Sequence, residues 1–350
     1  MASQQKLAVV AVGGNSLITD RDHQTIPDQY NAAALTAGYV ADMVAAGWNV
    51  VLTHGNGPQV GFILRRSELS MHEVIPVPMD YAGADIQGAL GYMFDRAFRN
   101  EFRRRGLKNR PVAVVTQTLV DRRDPAFSNP TKPIGSHFDE ATAKRIAALQ
   151  GWTVVEDAGR GWRRVVPSPR PHAIVELEQI RYLADAGYLV IACGGGGIPV
   201  IEEENGDLTG VEAVIDKDFA SSLLARDMGA DLLLFCTGVE KVAIDFNTPQ
   251  QRWLDRMTLA EAKKSILDGQ FDRGSMGPKI EAVIEFLEDG GQGGGGAPPH
   301  QRRGGGGAPP HQGRGGGAAP PHQGREGLIT NPANIGRALA GATGTRIVRI

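Results

Sequence analysis

Cysteine is scarce: Cys193 and Cys236 are the only two in 350 residues. Two thiols cannot build a disulfide framework or a four-ligand zinc site. Both end apolar runs, which predicts buried free thiols and fits a reducing, cytoplasmic setting. An excess of one charge is lacking too. Lys and Arg number 37 against 39 Asp and Glu, a formal net charge of -2. A nucleic-acid footprint needs a concentrated basic surface, so no nucleic acid is expected as a partner. Anionic small substrates stay open, because a few lysines in a cleft leave the total unchanged. No run reaches the roughly 18 apolar residues of a transmembrane helix, so no membrane is expected either. Met1–Val12 has no basic leader and no small-residue cleavage site; it reads as a first strand and not as a signal peptide.

What is present is an ordinary globular composition, 41% hydrophobic and 22% charged. The length exceeds what one hydrophobic core usually serves, so two lobes are expected. Glycine is abundant: 46 residues, fifteen of them between Gly290 and Arg325. That segment holds three near-copies of one unit, Gly293–Arg303, Gly304–Arg314 and Gly315–Arg325. The period is too short and too glycine-rich to stack a core. A disordered insertion at about 290–325 is predicted, with the fold resuming after it. Lengthening a surface loop costs little, because closure entropy grows only logarithmically. His300, His311 and His322 recur within it without a carboxylate or thiol beside them, and no metal is assigned there.

Elsewhere, short apolar runs alternate with helical spacing. Runs are expected as strands at Leu7–Val12, Asn49–Thr53, Val112–Thr118, Tyr188–Ala192 and Asp231–Cys236. Helices are expected at Asn31–Ala46, Asp80–Arg105, Ala173–Ala186, Lys217–Met228, Leu259–Leu267 and Pro278–Leu287. Strand, glycine loop, helix, strand is the pattern of βαβ units around a mainly parallel sheet. Asp121–Pro171 breaks that rhythm and reads as an excursion with one helix, Asp139–Gln150. A helix near Pro332–Ala340 and a strand at Thr345–Ile350 close the chain.

Three polar glycine turns follow apolar runs: Gly13-Gly14-Asn15, Gly55-Asn56-Gly57 and Gly194–Gly197. Turns after neighbouring parallel strands lie on one edge of a sheet, where α/β folds bind ligands, and their amides can approach an anion. Tight turns or a flexible hinge would read the same way. Asp216-Lys217-Asp218 opens a helix and can supply a cation for a phosphoryl group with a carboxylate to orient it. A capped helix start with a surface lysine is the plainer reading. Lys279 sits near the start of the Pro278–Leu287 helix, where the dipole favours anions, which makes sense if an anionic ligand shares the site; a solvated lysine would read the same way. Lys132 is flanked by prolines that restrict the backbone, in a site or simply in a stiff loop.

Together these segments resemble the carbamate kinases of the amino-acid kinase superfamily. The resemblance rests on Gly13-Gly14-Asn15, His54–Gly61, Asn129–Gly135, Glu156–Pro169, Cys193–Val200, Gly210–Ser221 and Gly274–Glu281, in order along almost the whole chain outside the insertion. It implies a three-layer αβα sandwich with a mainly parallel open sheet, two lobes and a small protruding subdomain. Residues 1–215 would bind carbamate or carbamoyl phosphate, with 121–171 as the protruding lid, and 216–350 the nucleotide. It implies reversible phosphoryl transfer between ATP and carbamate, running toward ATP in arginine breakdown. Lys132, Lys217, Asp218 and Lys279 match the catalytic set. Gly13, Gly14, Asn15, Gly55, Asn56, Gly57, Gly195 and Gly196 match the phosphate-binding turns; Thr237, Gly238, Val239, Ser275 and Met276 match the nucleotide site. It further implies a homodimer, ATP or ADP as substrate, Mg²⁺ bound through nucleotide phosphates, and no protein-held metal. Ser16 departs from the Ala usual in the family. Another phosphotransferase of this type, or a catalytically silent ligand-binding scaffold, stands as the alternative; a scaffold has no need of the lysines. His54 is expected to be structural, because carbamate oxygen is already anionic and needs no base.

Overall fold

The structure is a computed structural model that describes residues 5–14, 17, 23, 25–57, 59–157, 159, 161–272, 274–288 and 324–349. Asn15, Ser16 and nearly all of the glycine-rich insertion lie outside the described residues.

Eight strands form one sheet, in the spatial order Arg256–Thr258, Thr345–Val348, Glu326–Thr330, Leu232–Cys236, Leu7–Val12, Asn49–His54, Tyr188–Ile191, Arg110–Ala113. Neighbours pair in parallel except Glu326–Thr330 with Thr345–Val348. The central strands are apolar runs because both faces are covered. Alternate residues of Leu7–Val12 feed two separate cores. Ala8, Val10 and Val12 join Phe94, Phe98 and Ile335 on one side. Val9 and Ala11 join Leu224, Ile280 and Phe286 on the other. The result is the expected three-layer α/β sandwich. Residues before 215 supply four of the eight strands and later residues the other four, so the sheet runs through both expected lobes.

The helices follow their local signals. Ile26–Ala45 starts five residues before its expected beginning, because Thr25 and Asp28 form a reciprocal capping box and Pro27 suits the first turn. Lys217–Met228 is capped by Asp216 and ends at Gly229 in the left-handed region.

Four readings change. Val112–Thr118 is not one strand: Arg110–Ala113 closes the main sheet, and Gln117–Val120 enters a second, four-stranded sheet. The chain bends between them because the Gln87 side chain holds both backbone groups of Thr116, at 2.7 and 2.9 Å. The helix expected from Ala173 begins only at Leu177; Pro171–Ile174 is a strand antiparallel to Gln117–Val120. A helix at Gln59–Ser70 follows the second glycine turn directly, and its mean hydropathy is too low to have stood out in the sequence. The excursion holds three antiparallel strands, Lys132–Phe138, Trp162–Val166 and Thr153–Glu156, besides its helix Glu140–Gln150.

Both flanks of the insertion belong to the fold. Helix Met276–Leu287 precedes it, and Glu326–Thr330 pairs with Leu232–Cys236 over five residues after it. A Cβ on Gly327 would meet Val283 at 2.2 Å, so that strand and that helix touch without an intervening side chain.

Candidate active site

Three glycine turns leave the C-terminal ends of Leu7–Val12, Asn49–His54 and Tyr188–Ile191. In a doubly wound sheet that rim is where ligands bind. A cleft of about 300 Å³ opens there, lined by Gly14, Gly55, Asn56, Gly57 and Gly195 from the turns. Lys132, Asp216, Lys217, Asp218 and Lys279 complete its polar wall. Three separate parts of the chain thus bring three ammonium groups and two carboxylates to one space.

The charges are arranged in pairs. Asp218 is almost fully buried and accepts from Lys217 on Oδ1 and from Lys279 on Oδ2, the latter at 3.0 Å. Lys132 reaches in from the protruding subdomain and donates to Asp216 Oδ2 at 3.0 Å. Burial, and then the charge of Lys217, hold the Lys279 ammonium below the usual lysine range, although Asp218 pulls the other way. Lys279 also donates to the Ser275 carbonyl at 3.2 Å.

The turns must be glycine where the backbone passes closest. Gly195 has φ +69°, and a Cβ there would lie 1.9 Å from Asn56 Oδ1. At Gly55 a Cβ would press on Lys217 Cδ at 3.1 Å, so its absence lets the lysine stem pass. A buried hydroxyl pair ties the helix start to the sheet. Ser221 Oγ donates to the Lys217 carbonyl at 2.6 Å, which leaves Thr53 to donate to Ser221 Oγ at 2.6 Å.

His54 lies behind the turn and not in the cleft. It is buried, stacks on Phe94 at 5.7 Å, and its Nδ1 donates to the Gly55 carbonyl at 3.0 Å. Burial lowers its pKa to about 4, against a weaker upward pull from that hydrogen bond, so it is neutral at pH 7. Neutral and enclosed, it supports the turn.

Gly13 and Gly196 do not line the cleft. Gly13 donates to Cys236 O across the neighbouring strand end, and Gly196 allows close approach to the Ile215 carbonyl. Thr237, Gly238, Val239, Ser275 and Met276 also lie outside its lining. Thr237 extends the Leu232–Cys236 strand by donating to Thr330 O at 2.9 Å. Asp216 had been legible only as a helix cap, yet it holds Lys132. Thr53 and Ser221 carried no local signal, since a buried polar pair appears only once strand and helix are packed.

A larger recess, about 740 Å³, lies between Glu68, Trp152, Arg164 and Glu212. Its charges are paired: Arg164 donates to Glu212 at 2.7 Å and stacks on Trp152, and Glu68 accepts from Arg65 at 3.3 Å. The glycine turns and the three lysines line the smaller cleft, which makes it the candidate site. Among the described residues no three metal-ligating side chains cluster, and no helix is long and apolar enough to cross a membrane.

The chain matches the amino acid kinase family over residues 6–293. Carbamate kinase of Pyrococcus horikoshii is 50% identical over 286 residues, 81% of this chain and 91% of that protein. Carbamate kinase of Thermococcus kodakarensis is 48% identical over 290 residues, 82% and 92% of the two chains. Among solved structures, carbamate kinase from Giardia lamblia bound to AMP-PNP aligns over 100% of both chains, with a TM-score of 0.85 at 38% identity.

Proposed function

We propose that this chain, which belongs to the amino acid kinase family and within it to the carbamate kinases, transfers a phosphoryl group reversibly between ATP and carbamate. The observation that supports the mechanism is the meeting of Lys132, Lys217 and Lys279 over glycine turns at one sheet rim. Phosphoryl transfer needs aligned oxygens and positive charge where the equatorial oxygens carry theirs, and little covalent help. Amides of the Gly14 and Asn56-Gly57 turns hold the substrate oxygens, while that of Gly55 donates to the Val12 carbonyl at 3.1 Å. Lys217 and Lys279 stabilise the transferring group, and Asp218 keeps their two like charges together. Lys132 closes on it from the lid. Toward ATP, a β-phosphate oxygen of ADP forms the new P–O bond. The old P–O bond breaks with its electron pair left on carbamate. Both oxygens are anionic, so no proton moves and no base is required.

Residues 1–215 serve as the substrate lobe, 121–171 as its lid and 216–350 as the nucleotide lobe, with Thr237–Val239 and Ser275-Met276 beside the nucleotide. Mg²⁺ fits as an ion carried by the nucleotide phosphates. Among the described residues the carboxylates lining the cleft are those of Asp216 and Asp218, both already paired with lysines. When bound, the ion neutralises phosphate charge. A homodimer is supported by helix Met79–Arg105, which exposes the apolar rings of Tyr81 and Tyr92. Sedimentation of the full chain checks it, and a monomer at micromolar concentration rejects it.

A coupled assay tests the reaction. ATP should form from ADP with carbamoyl phosphate, and not with acetyl phosphate or N-acetylglutamyl phosphate. Turnover with either of the latter, or nucleotide binding without any turnover, overturns the reading.

A further inference from the structure

The segment ahead of helix Lys217–Met228 touches the base of the lid. Val214 N donates to the Pro167 carbonyl at 3.0 Å, next to the strand Trp162–Val166 that pairs with Lys132–Phe138. Two residues later comes Asp216, whose carboxylate has two partners. Oδ1 accepts the Asp218 amide at 3.0 Å, which caps the helix. Oδ2 accepts the Lys132 ammonium at 3.0 Å. Among the described residues this is the only hydrogen bond of that ammonium. The Lys132 side chain is 40% exposed and that of Asp216 19%, so the carboxylate is the fixed member of the pair. Its rotamer is set by the capping bond, and the second oxygen is therefore aimed.

We propose that Asp216 is a positioning residue that couples the lid to the catalytic helix. In the unliganded cleft its carboxylate holds the lid's Lys132 beside the helix start that carries Lys217 and Asp218. The lysine stem is long and costs rotamer entropy to order. With Asp216 in place that ordering is done before the anionic substrate arrives, which is preorganisation in the ordinary electrostatic sense. Burial works against ionisation of Asp216, but Lys132, the Asp218 amide and Lys217 together outweigh it and hold the carboxyl below the usual aspartate value. The carboxylate is thus charged at neutral pH.

Asp216→Asn separates the two duties. Asn caps a helix about as well as Asp, so the helix start survives while the charge facing Lys132 is lost. Asp216→Ser keeps a capping oxygen and removes the second one, and it serves if the Asn variant folds poorly. The first readout needs no turnover: N-hydroxysuccinimidyl acetate labels amines of the unliganded full chain, read by peptide mass spectrometry. Lys132 should label about threefold to fivefold faster in both variants, the factor for a partly exposed ion pair. Lys279, held by Asp218, should change less. The second readout rests on the phosphotransferase reading. Asp216→Asn should lower kcat/KM for carbamoyl phosphate about tenfold, and have no further effect in a Lys132→Ala background. Unchanged Lys132 labelling in both variants, or an equal loss with and without Lys132, overturns the coupling. If the wild-type chain does not turn over carbamoyl phosphate, the functional reading fails while the labelling still decides the coupling.

Discussion

Replacing Asp218 by Asn tests the electrostatics of the cleft most sharply. The carboxylate is 4% exposed and takes Lys217 on one oxygen and Lys279 on the other. Two ammonium groups roughly 5 Å apart, at an effective dielectric near 20, repel by about 3 kcal/mol. The carboxylate offsets that repulsion; a neutral amide does not. Lys279 already lies below the usual lysine range through burial and its neighbour Lys217, with Asp218 opposing both. Removing the opposing charge drops it further. In the proposed role Lys279 acts protonated, so the alkaline limb of kcat/KM moves to lower pH. At pH 7 the rate falls roughly 10²–10³-fold, as for other lost preorganised contacts. The assay is ATP formation from ADP and carbamoyl phosphate across pH 6 to 10, with nucleotide affinity measured alongside. An alkaline limb that stays in place, or moves to higher pH, refutes the reasoning.

Two further outcomes follow from the same geometry. His54 has a folded pKa of about 4 against an ordinary 6.5. The unfolded chain accepts a proton the folded chain refuses, so stability falls as pH drops from 6.5 toward 4, by about 3 kcal/mol in full. Urea midpoints at pH 7 and 4.5 should differ less in His54→Gln than in the wild type; an equal difference removes His54 from the account. Gly195→Ala puts a Cβ 1.9 Å from Asn56 Oδ1 at a backbone φ of +69°. It should cost about 1–3 kcal/mol of stability and most of the turnover, and an active, equally stable variant contradicts the assigned turn geometry.

Much of the sandwich was legible because its signals are local. Lys217–Met228 carries its own cap and its own left-handed stop, and Leu259–Leu267 opens on a capping box at Thr258 and Glu261. The central strands show as apolar runs because both faces are buried. What was not legible depends on partners far along the chain. Val112–Thr118 is continuous in hydropathy, and its break is imposed by Gln87, 29 residues away. The strands of the excursion are short and polar, and among the described residues they pair only with each other. For the site, the glycine turns marked a rim, but nothing local said that Lys132 reaches it; that came from the resemblance. Asp216 was visible as a cap, and its second oxygen acquires a role only when the lid folds over it.

The most direct measurement is a single-turnover rate in Lys217→Met. Enzyme in excess over ADP is mixed with carbamoyl phosphate, quenched on the millisecond scale and assayed for ATP, with ADP affinity determined separately. The account predicts transfer slowed roughly 10²–10³-fold and ADP affinity changed by no more than about threefold. Transfer at the wild-type rate, or a loss explained wholly by weaker nucleotide binding, contradicts it.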